Sequence, residues 1–477
     1  MSFEPFVTEI EYTPDASAYF AQLHPLKHPI WLDSCHPATQ SGRYDIFAAC
    51  PSHYLQTFAD STQVDTYSCA SGLTKSNTKA SHQCLYRQDP FEVLARHLPT
   101  LNTKRTEHEC KLPIYGGALG FWGYDLARYL VPVKEQIEQT SQLPDMAVGL
   151  YPWTLVLDHT AEKAYISAVN KASTEAITGY LSSQNNLKSI LENGSNPFII
   201  NKFESNLNAK HYFEKFDIIQ NHIREGDCYQ VNFAQRFSSQ YKGDPLTAYL
   251  HLRAINPAPF AAFIPLEKGA ILSLSPERFI AAQQDKVTTS PIKGTAARKD
   301  NLKADQLAGQ QLLDSPKDQA ENLMIVDLLR NDLSQTCRHV KVPQLFELQS
   351  FTNVHHLVST IEAQLKSGQS CVDVLRSAFP GGSITGAPKI RAMEVIESLE
   401  SHRRGPYCGS IGYISHCGNM DTNIAIRTLV AEDHEISCWG GGGIVADSEA
   451  ESEYNETLAK VDILLRALEG EFPAPQQ

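Results

Sequence analysis

An amine and four carboxylates carry the chemical interest of this sequence. Lys293 stands in VTTSPIKGTAAR (287–298), after a β-branched run that ends at Pro291 and before a glycine that lets the backbone turn sharply. Taken alone it reads equally as a solvated turn cation and as a reactive amine. In SPKDQAENLMIVDLLRNDL (315–333), Ser315, Pro316 and Asp318 have the order of a helix N-cap, first position and third position. Glu321 follows one turn later, so its carboxylate and that of Asp318 can share a face. The spacing leaves open whether Glu321 is a solvated group or a ligand.

The second acidic stretch, VADSEAESEYNETLAKVDILLRAL (445–468), begins with another capping-box pair, Ser448 and Glu451. At about 100° per residue, Tyr454, Leu458, Val461, Leu465 and Leu468 form an apolar stripe, and Glu453, Glu456 and Lys460 line a different face. On spacing alone that face is a solvated one with a Glu456–Lys460 pair. Were the glutamates of the two helices to converge instead, their hard oxygens would suit magnesium, which takes one or two protein carboxylates and completes its shell with water and substrate oxygens. Just before the second helix lies WGGGGI (439–444), where missing Cβ atoms let backbone amides approach an anionic ligand; a tight turn accounts for the glycines equally well.

These groups need a scaffold. A chain of 477 residues exceeds the usual single core and predicts one large mixed α/β (α+β) body or two closely packed subdomains. Residues 5–167 hold strand-like runs such as IWLD, YDIFAAC, TLVLD and KAYISAV. The stretch 168–208, rich in Ser, Asn, Thr and Lys, reads as a helix-containing connector, which divides the chain into 1–200 and 201–470. Beyond it, helices at 211–225, 304–313, 316–332, 386–399 and 448–469 are expected to alternate with strands at 228–237, 270–274, 278–282, 286–290, 410–415, 424–431 and 435–439. Hydrophobic content is 42%, and neither an apolar run of about 18 residues nor a basic-then-apolar leader is present; the expectation is a cytoplasmic protein with no membrane span. A net charge of −13 argues against a nucleic-acid partner. Eleven scattered cysteines without a C-x-x-C read as reduced thiols.

Several blocks, in order, resemble the chorismate-utilising enzymes: GDCYQVNFAQRF (226–237), LSPERF (274–279), SPIKGT (290–295), KDQAENLMIVDLLRND (317–332), VHHLVST (354–360), FPGGSITGAPK (379–389), YCGSIGY (407–413) and GGGGIVADSEAESEYNET (440–457). Further blocks, LDS (32–34), GRYDIF (42–47) and YGGALGFWGYD (115–125), resemble the amino-terminal part of the aminating members. The resemblance implies a single large body with two extended central β-sheets flanked by helices, and an active site in a cleft. The branch it resembles most turns chorismate and ammonia into 4-amino-4-deoxychorismate, on the folate route to 4-aminobenzoate.

By the same resemblance, Glu321 and Glu456, with Glu453 and Asp318 directly or through water, hold magnesium. Tyr407 and Arg427 clamp the enolpyruvyl carboxylate, which suits arginine's planar fork. The amides of Gly441 and Gly443, with Lys460, hold the ring carboxylate. Thr385 and His356 border the substrate, although His356 reads equally as a core histidine. Glu277 protonates the departing ring hydroxyl, or on the plainer reading pairs with Arg278. Lys293 attacks the carbon ortho to the carboxylate as the hydroxyl leaves the para carbon, and ammonia then adds at the para carbon and expels the lysine; a purely electrostatic lysine is the alternative. Anthranilate-forming members carry Ala at this place, and isochorismate-forming ones carry a water-activating Lys where this chain has Gln230. Ser34, Tyr44, Asp45, Tyr229, Pro259 and Phe260 resemble a tryptophan pocket. The sequence holds no G-x-C-x-G-type glutaminase block, which implies a separate glutamine amidotransferase subunit as the ammonia source. Two other readings stand beside this one: an anthranilate-forming subunit, against which Lys293 argues, and a non-catalytic tryptophan-sensing or glutaminase-binding subunit.

Overall fold

The strands before residue 170 pair mainly with one another and form one continuous half of each sheet, joined to the later strands by Ile30–Asp33 with Phe260–Leu266 in one sheet and by Gly117–Trp122 with Ser410–Ser415 in the other. A computed structural model describes residues 5–39, 42–68, 73, 75, 78–98, 112–183, 197–350 and 354–474. Among them the strands form two antiparallel sheets, of 13 and 12 strands. The first runs in space through Phe6–Ile10, Lys163–Ala168, Trp153–Asp158, Tyr44–Ala48, Ile30–Asp33, Phe260–Leu266, Gly269–Ser275, Thr428–Glu432, Glu435–Ile444 and Gln230–Lys242. The second runs through Ile292–Ala297, Val354–Leu365, Lys286–Thr289, Arg278–Gln283, Met420–Asn423, Ser410–Ser415, Gly117–Trp122, Met146–Tyr151, His53–Phe58, Ser61–Thr66 and His82–Tyr86. Both sheets therefore take strands from either side of residue 200. Of the connector expected at 168–208, the helix Lys171–Ser183 is seen, and 184–196 lie outside the described residues.

Burial follows position. Trp153–Asp158, central and covered on both faces, is buried throughout, whereas the edge strand His82–Tyr86 is largely exposed. Ile46, Val156, Ile264 and Ile271 of the first sheet meet Leu119, Phe121 and Ile411 of the second in one apolar layer. The outer face of the first sheet is covered by the helices Ala16–Leu23, Pro245–Ile255 and Ala450–Glu471, and that of the second by Pro90–His97, Pro316–Thr336 and Cys371–Ala378. This is the mixed α/β architecture of two extended central sheets flanked by helices.

Most expected elements are present within a few residues, and the departures have local causes. The helix expected from 386 begins at Lys389, because Ala387 precedes Pro388 and is held extended; Gly386 and Ala387 pair instead with Val231 and Gln230. Of the strand expected at 424–431 only the part from Thr428 forms; 424–427 are irregular, and Arg427 has a left-handed φ of 50°. WGGGGI is neither a turn nor a helix start: the strand continues to Ile444, with Ala234 opposite Gly441 and Asn232 opposite Gly443. Ser448 does not cap the last helix, which starts at Ala450 after Glu449.

The glycines of that strand allow the last helix to lie directly on the sheet. A Cβ on Gly440 would overlap the Thr457 carbonyl and crowd Val461. Gly440→Ala should therefore lift the helix and cost about 1–3 kcal/mol; a urea midpoint unchanged from the parent would refute this account of the packing.

Candidate active site

Lys293 is delivered by a bulge. Along the pairing of Ile292–Ala297 with Val354–Leu365, Lys293 lies opposite Leu357 but Thr295 lies opposite His356, so Gly294 is an extra residue. Its φ of 79° suits glycine, and a Cβ there would approach Asp318 Oδ1 and Leu312 Cδ1 to 2.8 Å. The bulge aims the Lys293 amine inward. Nζ lies 3.4 Å from Glu321 Oε2, and 3.2 Å from where a Gly443 Cβ would be. Lys293 is thus not a solvated turn cation; its side chain is 15% exposed.

The carboxylates come from two helices. Ser315 caps the helix Pro316–Thr336 by accepting the Asp318 N–H at 3.3 Å, and Glu321 projects one turn on to meet Lys293. Asp318 faces Gly294. On the helix Ala450–Glu471 the expected solvated face is only half solvated: Glu453 is 5% exposed, whereas Glu456 and Lys460 are half-exposed and paired at 2.6 Å. Ser448, freed from capping, donates to Glu453 Oε1 at 2.6 Å. Burial raises the pKa of Glu453, helped by the Glu456 charge and opposed by Ser448. Burial also pushes Glu456 up, but Lys460 overcomes it and holds the group below its ordinary value. A Cβ on Gly442 would lie 2.9 Å from Glu453 Oε2 and 3.7 Å from Glu456 Oε1, so a bare stretch of backbone fronts this acidic pair.

Glu277 is buried, and burial pushes its carboxyl up to about 7, although a hydrogen bond from Ser383 Oγ (3.0 Å) and the charges of Lys293 and Lys460 pull the other way. It does not pair with Arg278. Successive strand residues diverge, and Arg278 reaches Asp421 from the opposite side at 2.9 and 3.0 Å. Ser383 was not singled out by the sequence reading; it sits within the FPGGSITGAPK block, but only the fold brings it to Glu277.

Of the remaining expected residues, Tyr407 and Lys460 adjoin Gly441 and His356 adjoins the Lys293 bulge. Tyr407 is buried, stacked on Trp439 at 5.8 Å between centroids and 9° between planes, with its hydroxyl 2.9 Å from where a Gly441 Cβ would be. Lys460 Nζ donates to the Gly441 carbonyl at 2.8 Å. Arg427 is partly buried with no carboxylate partner among the described residues, and its charge helps burial lower the pKa of His356 to about 4. His356 is therefore a neutral imidazole at pH 7, with Thr295 Oγ1 3.0 Å from Nδ1. Thr385 is buried and donates to the Gly381 carbonyl at 3.0 Å, so its hydroxyl is committed to the loop. Gln230 is fully buried beside Gly443 with both amide atoms unpartnered, a costly state that a polar ligand would relieve. Behind Tyr407, the fully buried Arg404 donates to Glu400, to the Ile384 carbonyl and to the Asn232 carbonyl, tying three segments of the cleft together. Nothing in its sequence context marked it.

A second cavity of about 400 Å³ is lined by Ser34, Tyr44, Pro259 and Phe260 together with Arg278 and Asp421. Ser34 Oγ is buried without a partner. Asp45 does not line it but fixes its wall, accepting the Ser34 N–H at 2.6 Å and meeting His159 Nε2 at 3.0 Å. Tyr229 is not part of this cavity: it is 68% exposed and pairs through its backbone with Ala387, because the chain enters the sheet only at Gln230.

The donor set fits a hard cation. Glu453 and Glu456 lie beside Gly442, and Glu321 reaches the same end of the strand through Lys293, which adjoins Gly443; lysine ammoniums pair with Glu321 and Glu456. The tightest three-residue cluster among the described residues is elsewhere, at His222, Glu225 and Asp227; there Arg391 already holds Asp227 at 2.6 Å.

A profile of the family described as "chorismate binding enzyme" matches residues 50–466. Aminodeoxychorismate synthase component 1 of Escherichia coli K12 is 44% identical over 471 residues, covering 98% of this chain and 99% of that protein. Its counterpart in Salmonella typhimurium LT2 is 44% identical over 478 residues, with the same coverage. Among solved structures, anthranilate synthase component I from Streptococcus pneumoniae TIGR4 superposes with a TM-score of 0.73 at 29% identity, covering 89% of this chain and 92% of that one.

Proposed function

The chain belongs to the chorismate binding enzyme family, and on that premise we propose that it aminates chorismate to 4-amino-4-deoxychorismate, the precursor of 4-aminobenzoate, as the first component of a two-component synthase. One observation carries the para-amination reading: an amine, Lys293, is aimed by a bulge into the cleft that Glu277 enters as an acid still protonated near neutrality.

Arg427 and Tyr407 take the enolpyruvyl carboxylate. The Gly441 and Gly443 backbone and Lys460 take the ring carboxylate, and Gln230 finds its partner in bound substrate. Glu277 gives its proton to the ring hydroxyl as that group leaves the para carbon. Lys293 forms its bond at the ortho carbon and is expelled when ammonia adds at the para carbon. Gln230, a neutral amide, cannot deprotonate water, so water is not the nucleophile. Magnesium fits Glu321 and Glu456, with Glu453 and Asp318 near it, and would neutralise the ring carboxylate when bound. Those two glutamates are the ones now paired with Lys293 and Lys460. Loss of activity with a chelator that magnesium fails to restore would exclude this role.

Ammonia comes from a glutamine amidotransferase, the second component. Tryptophan suits the cavity at Ser34, where an unpartnered hydroxyl meets Tyr44 and Phe260; its absence from denatured, freshly purified protein by mass spectrometry would remove that assignment. The test of the function is incubation with chorismate, magnesium and ammonium followed by mass spectrometry. Anthranilate as sole product would favour the ortho-aminating reading.

Ser383 has a measurable part in this scheme. Its hydrogen bond favours the ionised form of Glu277, so Ser383→Ala should raise the acid's pKa by about one unit. A general acid works protonated, and the alkaline limb of kcat should move upward by that amount. A profile that stays in place would show that Ser383 does not tune the acid.

A further inference from the structure

One buried polar side chain beside the cleft has no part in the scheme above. Asn232 is 8% exposed, and its Oδ1 has no hydrogen-bond partner. Its backbone is fully committed: the N–H donates to the Thr385 carbonyl at 2.8 Å, and the carbonyl accepts from Arg404 Nη2 at 2.7 Å. The N–H leaves the strand on the side away from Gly443, so Asn232 and Gly443 form a non-hydrogen-bonded cross-strand pair, with Cα atoms about 4.5 Å apart and side-chain positions on one face. Gln230, two residues earlier, points to that face too. There Gln230 Nε2 lies 2.9 Å and Lys293 Nζ 3.2 Å from where a Gly443 Cβ would be. On its other flank Asn232 borders Thr385, two residues from the Ser383 that bonds Glu277 at 3.0 Å. The Asn232 amide thus stands between the strand that meets Lys293 and the segment that holds the acid.

A buried amide oxygen without a donor is a costly state that a bound donor relieves. Chorismate at neutral pH offers two carboxylates, one ether oxygen and one hydroxyl, so the ring hydroxyl is the only donor it brings. Gln230 turns a donor of its own, Nε2, to Gly443, on the side assigned to the ring carboxylate, which leaves the hydroxyl to Asn232. The hydroxyl has two ways to meet Glu277. Donating to the carboxyl turns its hydrogen toward the acid and blocks the transfer. Accepting turns a lone pair toward the acid and requires a second acceptor for the hydrogen. The orphaned Oδ1 of Asn232 is such an acceptor.

We propose that Asn232 is a further catalytic residue of the amination: its Oδ1 accepts the hydrogen of the substrate's ring hydroxyl and so presents the oxygen lone pair to Glu277. The inference rests on the aminating reading above. In the step it assists, the Glu277 proton passes to the hydroxyl oxygen, the carbon–oxygen bond breaks with its electron pair going to oxygen, water leaves, and Glu277 is left as the carboxylate. Asn232 moves no proton. Its hydrogen bond strengthens as the leaving oxygen gains positive character, so it favours the transition state over the bound substrate.

Asn232→Leu and Asn232→Ala remove the acceptor, the first keeping the branched shape of the side chain, and Asn232→Asp keeps acceptors in place of the amide. Initial rates are measured against chorismate at saturating ammonium and against ammonium chloride at saturating chorismate, with thermal unfolding of each variant. The expected result for Leu is a kcat lowered about thirtyfold, an unchanged ammonium KM and an unfolding midpoint no lower than the parent's, because the orphaned oxygen is gone. Asp is expected to turn over at least about fivefold faster than whichever of Leu and Ala folds, although it sets a charge in the sheet; a purely structural asparagine predicts the reverse order. Parental kcat without the acceptor, a loss confined to the ammonium KM, or Asp slower than the acceptor-free variant overturns the proposal alone. No amino product from the unsubstituted protein overturns the reading of function and the proposal with it.

Discussion

Replacing Lys293 by alanine is expected to reduce formation of 4-amino-4-deoxychorismate by about a hundredfold or more, with the KM for chorismate little changed. The amine is set between Glu321 and Gly443, and Gly294 has no side chain that could fill the gap it would leave. On the proposed assignment the substrate carboxylates are held by other groups, so the loss should fall on kcat. Lys293→Arg separates the two accounts of the residue. Arginine keeps the charge but stays protonated and is no nucleophile, so a bond-forming lysine predicts that Arg is as poor as Ala, and an electrostatic lysine predicts partial recovery. Near-parental turnover by Lys293→Ala, read as product by mass spectrometry, would remove Lys293 from the mechanism.

Glu277→Gln should lower kcat by about 10²–10⁴-fold, the usual contribution of a positioned proton donor. The same substitution should raise stability at alkaline pH. With the folded-state pKa up at about 7 against an ordinary 4.5, the protonated carboxyl is the form the fold favours. Its contribution is fully present below about pH 4.5 and is lost as pH rises through 7, a swing on the order of 3 kcal/mol. Glutamine never ionises and can still accept the Ser383 hydrogen bond. Relative to the parent, Glu277→Gln should therefore gain stability between pH 5 and pH 8, as read by urea unfolding at both. Equal differences at the two pH values would mean that Glu277 is not the buried acid described here.

The sequence was most legible where a local rule decides. Ser315, Pro316 and Asp318 begin their helix where capping chemistry puts them, and the strand 410–415 stands at its expected bounds. It was least legible where a distant segment decides. The glycines 440–443 read equally as a ligand-facing stretch and as a tight turn, because nothing nearby shows that Gln230–Lys242 pairs with them and that a helix must lie on top. Spacing placed Glu453 with Glu456 on a polar face but could not say that Ser448 would leave its capping position to hold Glu453 inside. Family blocks supplied Glu277, Glu321 and Lys293 as candidates, whereas Ser383, Arg404 and Trp439 take their places through distant neighbours, Glu277, Asn232 and Tyr407, and had no local signature. Tyr229 shows the converse, a block residue that the fold leaves at the surface.

The joining of an early and a late half within each sheet has a consequence for how the chain is made. Gly117–Trp122 pairs with Ser410–Ser415, about 290 residues later. At roughly 5–20 residues per second, the ribosome needs some 15–60 s to supply that partner. During this interval a buried central strand waits with an open edge, an arrangement that invites pairing with the wrong chain. The helix Ala450–Glu471, which brings Glu453 and Glu456, is synthesised later still. Catalytic competence therefore waits for that helix, and overproduction should be limited by chaperone capacity during translation rather than by the stability of the finished fold.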